Sequence, residues 1–210
     1  MNNPLTRKIS AVVVSVLILF LAYYGNFLPM VKSQTLISTM QNLRSINSVS
    51  QLSSAFAASF NIPSPIGQEE SVRSSGNVVL GVIQQTDRPD VISDLMNFME
   101  TSYRPIVEYG RGMSFEQNLY ILGTLNELSF VKTKDIKYFN AAKKYYSQGL
   151  TLGPKRPQFL YGMFDIYRME GNVDGSKRIA DQILAQWPDD FRTKSALDSF
   201  LAKALTLIPK

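Results

Sequence analysis

The chain has 210 residues and contains neither cysteine nor histidine. This composition excludes disulfides, Cys/His zinc sites, cysteine nucleophiles and histidine bases. A formal net charge of +5 would suit nucleic acid or an anionic membrane surface as a partner. The basic residues are scattered rather than clustered, so we predict no nucleic-acid binding.

The first predicted element is the uncharged run of residues 10–30, which reads "SAVVVSVLILFLAYYGNFLPM". At about 1.5 Å per residue, the run is long enough to cross a hydrocarbon core of about 30 Å. Tyr23 and Tyr24 fit the aromatic belt near one membrane interface. We therefore predict a single transmembrane helix that contacts the lipid bilayer.

The charges around this run predict its orientation. Arg7 and Lys8 precede it, and positive residues favour the cytoplasmic side of a membrane. We therefore expect residues 1–9 to form a cytoplasmic flank of a single-pass cell-membrane protein whose bulk is extracytoplasmic. Lys32, just beyond the run, would then lie near the outer headgroups.

Two other interpretations of this run remain open. Ala11 to Ala22 has the length of the h-region of a cleaved signal peptide, but "LAYYGN" offers tyrosines where a cleavage site needs small residues. A buried core helix would show a polar face, and this run has none. The membrane anchor is the interpretation that we carry forward.

The rest of the chain alternates amphipathic runs with short breaks. Apolar residues recur at helical spacing and no segment alternates convincingly with a period of two, so we predict an all-α fold. Gly171-Asn172 is expected to end one helix in a left-handed turn. Ser114 and Gln117 have the spacing of a capping box at the start of another helix. The predicted helices span residues 34–45, 48–60, 68–85, 88–109, 110–131, 134–153, 157–170, 173–187 and 191–208.

In the second half of the chain, prolines lie between the predicted helices. Pro154 and Pro188 each close an amphipathic run and lie 34 residues apart. Ahead of the first proline is a small-large-small ladder of Ala142, Tyr146 and Gly149. Between the two prolines lie Leu160, Met163, Tyr167 and Gly171. This pattern resembles the tetratricopeptide repeat, in which two helices with a conserved Gly, Ala and aromatic ladder end in proline.

The resemblance implies an α-solenoid of about four helix pairs, because a single pair cannot bury its apolar face alone. It divides the chain beyond the anchor into divergent helical pairs over 34–110, tetratricopeptide-like repeats over 111–188 and a capping helix over 190–210. Tyr146 and Tyr167 would fill the space between helices. The pattern departs from the family at Phe164, Ser176 and Ala180.

A broader resemblance covers nearly the whole chain. The apolar helix, the segments "GNFLPMVKSQTLISTMQ" and "FNIPSPIGQEE", and "LGPKRPQFLYGMFDIYRMEGN" are together similar to the C-terminal part of bacterial O-antigen ligase or polymerase-like membrane proteins. In that family the glycosyl-transfer site belongs to a many-helix membrane portion, so no catalytic residue carries over. The resemblance implies an alternative function, namely an accessory or detached C-terminal domain of a polysaccharide assembly system, with a polysaccharide-assembly membrane protein as its partner.

Paired acids come nearest to a catalytic or metal-binding motif. Glu69-Glu70 opens a predicted helix and Asp189-Asp190 precedes another, and carboxylates interact favourably with the positive end of a helix dipole there. We interpret the tyrosine-rich stretch from 138 to 167 as inter-helix packing rather than a ligand platform. We predict no catalytic activity, no cofactor and no metal.

The family resemblance also implies a candidate binding groove. In tetratricopeptide stacks the first helix of each pair lines a concave groove that holds a protein or peptide ligand. A mixture of aromatic, amide and charged groups suits an extended peptide. The alternative is that these positions are only the solvated faces of two helices. The predicted groove residues are Gln117, Tyr120, Thr124 and Glu127 in one unit, and Gln158, Tyr161, Asp165 and Arg168 in the next.

Overall fold

The computed structural model describes residues 4–112 and 114–206. All regular structure in these ranges is helical and none is strand, which confirms the all-α prediction. The helices are α1 (Pro4–Ala22), α2 (Leu28–Gln41), α3 (Val49–Phe60), α4 (Gln68–Gln85), α5 (Pro89–Tyr109), α6 (Phe115–Thr133), α7 (Ile136–Leu152), α8 (Pro157–Glu170), α9 (Val173–Gln186) and α10 (Phe191–Thr206).

The N-terminal apolar run continues into a longer helix than the sequence predicts. A π-helical turn, Tyr23–Phe27, joins α1 to α2, so the backbone stays helical over Pro4–Gln41. The predicted break before residue 34 is therefore wrong. Pro29 lacks the N–H that an ordinary helix needs, and it lies two residues after the turn, where the hydrogen-bond register is already shifted. The π-helical turn thus lets the helix pass the proline.

One helix in the described ranges, Pro4–Gln41, is long and apolar enough to cross a membrane. Its most apolar stretch has no buried residue. This finding rests on the length and the composition of the helix. A long apolar surface that no other part of a chain covers needs either lipid or another protein around it.

The chain divides into two compact units, with the boundary between Ser75 and Gly76 inside α4. In the first unit α2 packs against α3. Phe56 of α3 is fully buried, and the hydroxyl of Thr39 in α2 donates to the carbonyl of Ala55 at 3.1 Å. These contacts fix the second half of the long helix against α3 within the first unit.

Lys32 is a basic residue that lies inside the first unit. Its side chain is buried, and its Nζ donates to the carbonyl of Ile62 at 2.9 Å and to Oε1 of Gln68 at 2.5 Å. Burial lowers the pKa of the Lys32 amine. This amine therefore ties α2 to Ile62 and to the first residue of α4. The expected position of Lys32 near the outer headgroups stays a prediction.

The second unit is a succession of helices, each packed against the next from α5 to α10. Helices α6 and α8, which are not consecutive, are also in contact. The residues that meet across these interfaces give the helix directions. Tyr146 meets Gly162 while Gly149 meets Phe159, so α7 and α8 run antiparallel.

The ends of α7 and α8 and the starts of α8 and α9 lie largely where the sequence predicts them. Helix α7 ends before Pro154, and Pro157 occupies the first turn of α8, where its missing N–H costs no hydrogen bond. Gly171 ends α8 in the left-handed region at φ 73°, and the N–H of Asn172 donates to the carbonyl of Tyr167 at 2.9 Å. The predicted left-handed stop is confirmed.

The predicted capping box at the start of α6 is wrong. Ser114 precedes the helix with a ψ of 3°, and its side chain makes no capping hydrogen bond. An N-cap residue has extended backbone angles that aim its side-chain oxygen at the free N–H groups of the first turn. At this ψ the hydroxyl of Ser114 does not point towards the free N–H groups of the first turn of α6.

A close approach of α7 and α8 requires glycine at position 149. A Cβ at Gly149 would overlap the ring of Phe159, whereas a Cβ at Gly81 in α4 would meet nothing within 4 Å. We expect Gly149→Ala to destabilise the chain by about 1–3 kcal/mol through overpacking, and Gly81→Ala to stabilise it by up to about 1 kcal/mol. Urea unfolding of the two variants in the same detergent checks this. Equal effects would contradict the close packing at Gly149.

Candidate functional site

The eight predicted groove residues lie on α6 and α8, two helices that contact each other. Gln117 and Gln158 are exposed, and so is Tyr161. The other five are partly buried, which means that the two helix faces are not simply solvated: Tyr120, Thr124, Glu127, Asp165 and Arg168.

A buried tyrosine from the intervening helix supports the α6 half of this face. The ring of Tyr146 is 1% exposed and lies where Gly123 of α6 and Gly162 of α8 have no Cβ. Its hydroxyl is 2.6 Å from Oε2 of Glu127, to which it donates, and 3.3 Å from Oγ1 of Thr124. Two predicted groove residues are therefore held by a tyrosine that the sequence assigned to packing alone.

Two carboxyl groups on this face have raised pKa values. Burial, with a smaller contribution from the negative charge of Asp165, raises the pKa of Glu127 to about 7, against the lowering effect of the Tyr146 hydrogen bond. Burial also raises the pKa of Asp165, although the Arg168 guanidinium opposes the shift. Near neutral pH, Glu127 is therefore poised between its neutral and charged forms.

Arg168 supplies the positive charge of this face. Its Nη1 donates to Oδ1 of Asp165 at 2.9 Å, and its guanidinium carbon lies 5.2 Å from the ring centroid of Phe164. The buried Nε of Arg168 has no hydrogen-bond partner among residues 4–112 and 114–206. A donor that is removed from water without an acceptor is costly, so this position of the Arg168 guanidinium is energetically unfavourable.

Tyr161 links α8 to the start of α10. Its hydroxyl donates to Oδ2 of Asp190 at 2.7 Å, and its ring stacks on Trp187 with centroids 6.3 Å apart. Burial, together with the Asp190 hydrogen bond, raises the pKa of Tyr161 to about 12. Oδ1 of Asp190 accepts from the backbone N–H of Thr193 at 3.1 Å, so its predicted role at a helix start is confirmed.

Tyr120 faces its neighbours rather than open space. Its ring packs edge-on against Phe159 at 6.3 Å between centroids. The carbonyl of Tyr120 also accepts from the Thr124 hydroxyl at 3.0 Å. Both residues therefore stiffen the face, while Gln117 and Gln158 are exposed on it.

Two cavities adjoin the α8 part of the face. One, of about 360 Å³, is lined by Asp165 and Arg168 together with Phe200 and Lys203 of α10. The other, of about 450 Å³, is lined by Tyr161, Asp165 and Arg168 and by Arg192 of α10. The sequence assigned α10 to a cap and gave no signal that its side chains would extend this face.

The described residues contain no group of three or more acidic side chains that could hold a metal ion. The face on α6 and α8 carries an aromatic ring, two carboxyl groups, a guanidinium and the two exposed residues Gln117 and Gln158. No protein-family model, curated protein or solved structure matches this chain.

Proposed function

We propose that this chain is a membrane-tethered helical-repeat scaffold that binds a protein or peptide on the face formed by α6 and α8. The observation that carries the proposal is the convergence of Glu127, Asp165 and Arg168. They are partly buried and electrostatically coupled, and Asp165 and Arg168 line two open cavities. Charged side chains on a helix surface that only contacts water are usually exposed, and their pKa values are not shifted by burial.

Helix packing in the second unit supports a solenoid of stacked pairs. Consecutive helices contact each other, and α6 also reaches α8, as the first helices of neighbouring pairs do in repeat arrays. In this arrangement α6–α7 and α8–α9 are two pairs, and α10 begins the next layer as a cap. The tetratricopeptide resemblance belongs to this proposal.

The chemistry of the face favours an extended peptide as ligand. Arg168 offers an N–H donor to a backbone carbonyl, and Gln158 offers both a donor and an acceptor. The exposed ring of Tyr161 provides a stacking surface. Main-chain hydrogen bonds would give affinity, and side-chain contacts would give preference among sequences.

The apolar N-terminal helix provides the tether. In the proposed topology it spans the cell membrane with the N-terminus in the cytoplasm, because Arg7 and Lys8 precede it. The chain beyond this helix then lies on the extracytoplasmic side. A partner bound to α6 and α8 would thereby be tethered to the membrane.

Leu17→Arg tests the tether. Leu17 is exposed in the middle of the apolar helix, and an arginine there should cost about 2.5–3.5 kcal/mol of insertion on the translocon scale. We expect the native chain to remain in the pellet after alkaline carbonate extraction and the variant to appear in the supernatant. Release of the native chain by carbonate would contradict the anchor.

The binding face is tested by replacing Tyr161 and Arg168 together with alanine. A partner captured from detergent-solubilised membranes should lose most of its binding to this variant, since both its stacking surface and its cationic donor are gone. Capture of a polysaccharide-assembly membrane protein would favour the alternative function for the same face.

A matched control is available in α5 and the turn after it. Tyr109 is exposed, and the guanidinium carbon of Arg111 lies 4.7 Å from its ring centroid. The variant Tyr109→Ala with Arg111→Ala therefore removes the same two residue types elsewhere. Circular dichroism must show both variants folded. Equal binding by the two variants would contradict the assignment of the face.

A further inference from the structure

A second concave surface lies away from α6, in a cleft of about 740 Å³ between α7 and α9 that we call the α7–α9 cleft. Helix α7 contributes Leu150, α9 contributes Ile179, and Met163 and Tyr167 of α8 lie between them. The volume is within the usual range for ligand pockets, roughly 300–1,000 Å³. The proposed partner face on α6 and α8 does not use this cleft.

The two walls of the cleft run in the same direction. Helices α7 and α8 are antiparallel, as the contacts of Gly149 and Tyr146 show. Tyr167 meets Arg178 near the start of α9, whereas Tyr161 stacks on Trp187 just beyond its end, so α8 and α9 are antiparallel as well. The C-terminal ends of α7 and α9 therefore lie at one end of the cleft.

The charged residues of the cleft mark its two ends. Lys155, just past the end of α7, shares one end with Gln186, the last residue of α9. Arg178 lies at the other end, eight residues before Gln186. At 1.5 Å per residue, the stretch of α9 from Arg178 to Gln186 is about 12 Å long.

The potential of the cleft is positive. Both of its charged lining residues are cations, and no acidic residue lines it within the part of the chain that the structure describes. Nη2 of Arg178 donates to the Tyr167 hydroxyl at 3.2 Å. Lys143, whose Nζ lies 5.7 Å from the Tyr167 ring centroid, is paired with Glu170 at 2.6 Å and adds no net charge there. The two lining cations, Lys155 and Arg178, attract anionic groups.

The floor of the cleft is apolar between these ends. Met163 and Ile179 are buried at its base, and Leu150 is half-buried at one wall. An occupant therefore needs apolar bulk at its centre and negative charge at both ends. The length of α9 between Arg178 and Gln186 is close to that of four residues of extended chain, since an extended residue spans about 3.3 Å.

We propose that the α7–α9 cleft binds an extended acidic segment of a partner protein with the pattern Glu-x-Leu-x-Glu. Alternate side chains of an extended peptide point to the same side, so both glutamates and the leucine face the cleft. The carboxylates pair with Arg178 and Lys155, and the leucine packs on Met163 and Ile179. This site is independent of the α6–α8 face.

The test uses the full chain in an uncharged detergent and a labelled probe peptide, Gly-Glu-Ser-Leu-Ser-Glu-Gly, blocked at both termini. We expect saturable binding by fluorescence anisotropy that weakens as salt is raised. Replacing both Arg178 and Lys155 with glutamate should raise the Kd of this peptide at least tenfold. A peptide with lysines in place of its two glutamates should bind the native chain at least tenfold more weakly.

The matched control reverses two exposed lysines that do not line the cleft, Lys144→Glu and Lys177→Glu, with the same change in net charge. Its Kd should stay within about threefold of the native value. Equal weakening in both double variants would overturn the site in favour of bulk charge. Absence of saturable peptide binding also overturns it, as does binding of short-chain phosphatidylglycerol in place of the peptide.

Discussion

Replacing Tyr146 with alanine is expected to lower the free energy of unfolding by about 3–5 kcal/mol. The ring is 1% exposed and fills the space between Gly123 of α6 and Gly162 of α8. Truncation would leave a cavity that three helices line, and it would remove the hydrogen bond to Glu127. Urea unfolding of the full chain in detergent, followed by the fluorescence of its single tryptophan, measures the loss.

Tyr146→Phe separates the ring from the hydroxyl. This variant keeps the packing and removes the donor to Glu127, so we expect a smaller loss of about 1–3 kcal/mol. A loss for Tyr146→Ala no larger than that for Tyr146→Phe would contradict the packing role of the ring.

Glu127→Gln is expected to change the pH dependence of stability. The pKa of Glu127 is raised from 4.5 to about 7 in the folded chain, so the folded state holds this proton more tightly than the unfolded state between these values. The stability contributed by the protonated carboxyl is fully present below about pH 4.5 and is lost as the pH rises through about 7. Glutamine stays neutral and still accepts from Tyr146. The variant should therefore gain up to about 3 kcal/mol over the native chain at pH 8.

The measurement is a set of urea unfolding curves between pH 4.5 and 8.5. The gain should shrink towards zero at the acid end. Glu108→Gln is the control, because Glu108 is exposed and surface substitutions usually change stability by no more than about 0.5 kcal/mol. A native chain whose stability rises from pH 5 to pH 8 by the same amount as that of Glu127→Gln would contradict the raised pKa.

Local signals explain what the sequence could predict. Gly171 and Pro157 act through their own backbone restrictions, so their places at helix ends are readable without knowing the fold. Helical periodicity likewise identifies most helices. The continuous helix through Pro29 was missed because a π-helical turn, which carries no distinct residue pattern here, offsets the effect of the proline.

Electrostatic coupling on the candidate face was not readable from the sequence. Residues on three helices make it, and its central hydrogen bond joins Tyr146 to Glu127 across 19 residues of chain. The burial of Lys32 is similar, since its acceptors lie 30 and 36 residues away. Spacing along a single helix predicts which face a residue occupies, but not which group from another helix meets it.

Site-specific photocrosslinking tests the proposed binding face most directly. A photoreactive phenylalanine analogue would be placed at Gln158, which is exposed on α8, and at Lys144, which is exposed on α7, in the full chain in native membranes. A partner bound to the α6–α8 face should crosslink from position 158, and the adduct should disappear when Tyr161 and Arg168 are replaced by alanine. The same adduct from position 144 alone, or an adduct at 158 that survives the double replacement, would contradict the account.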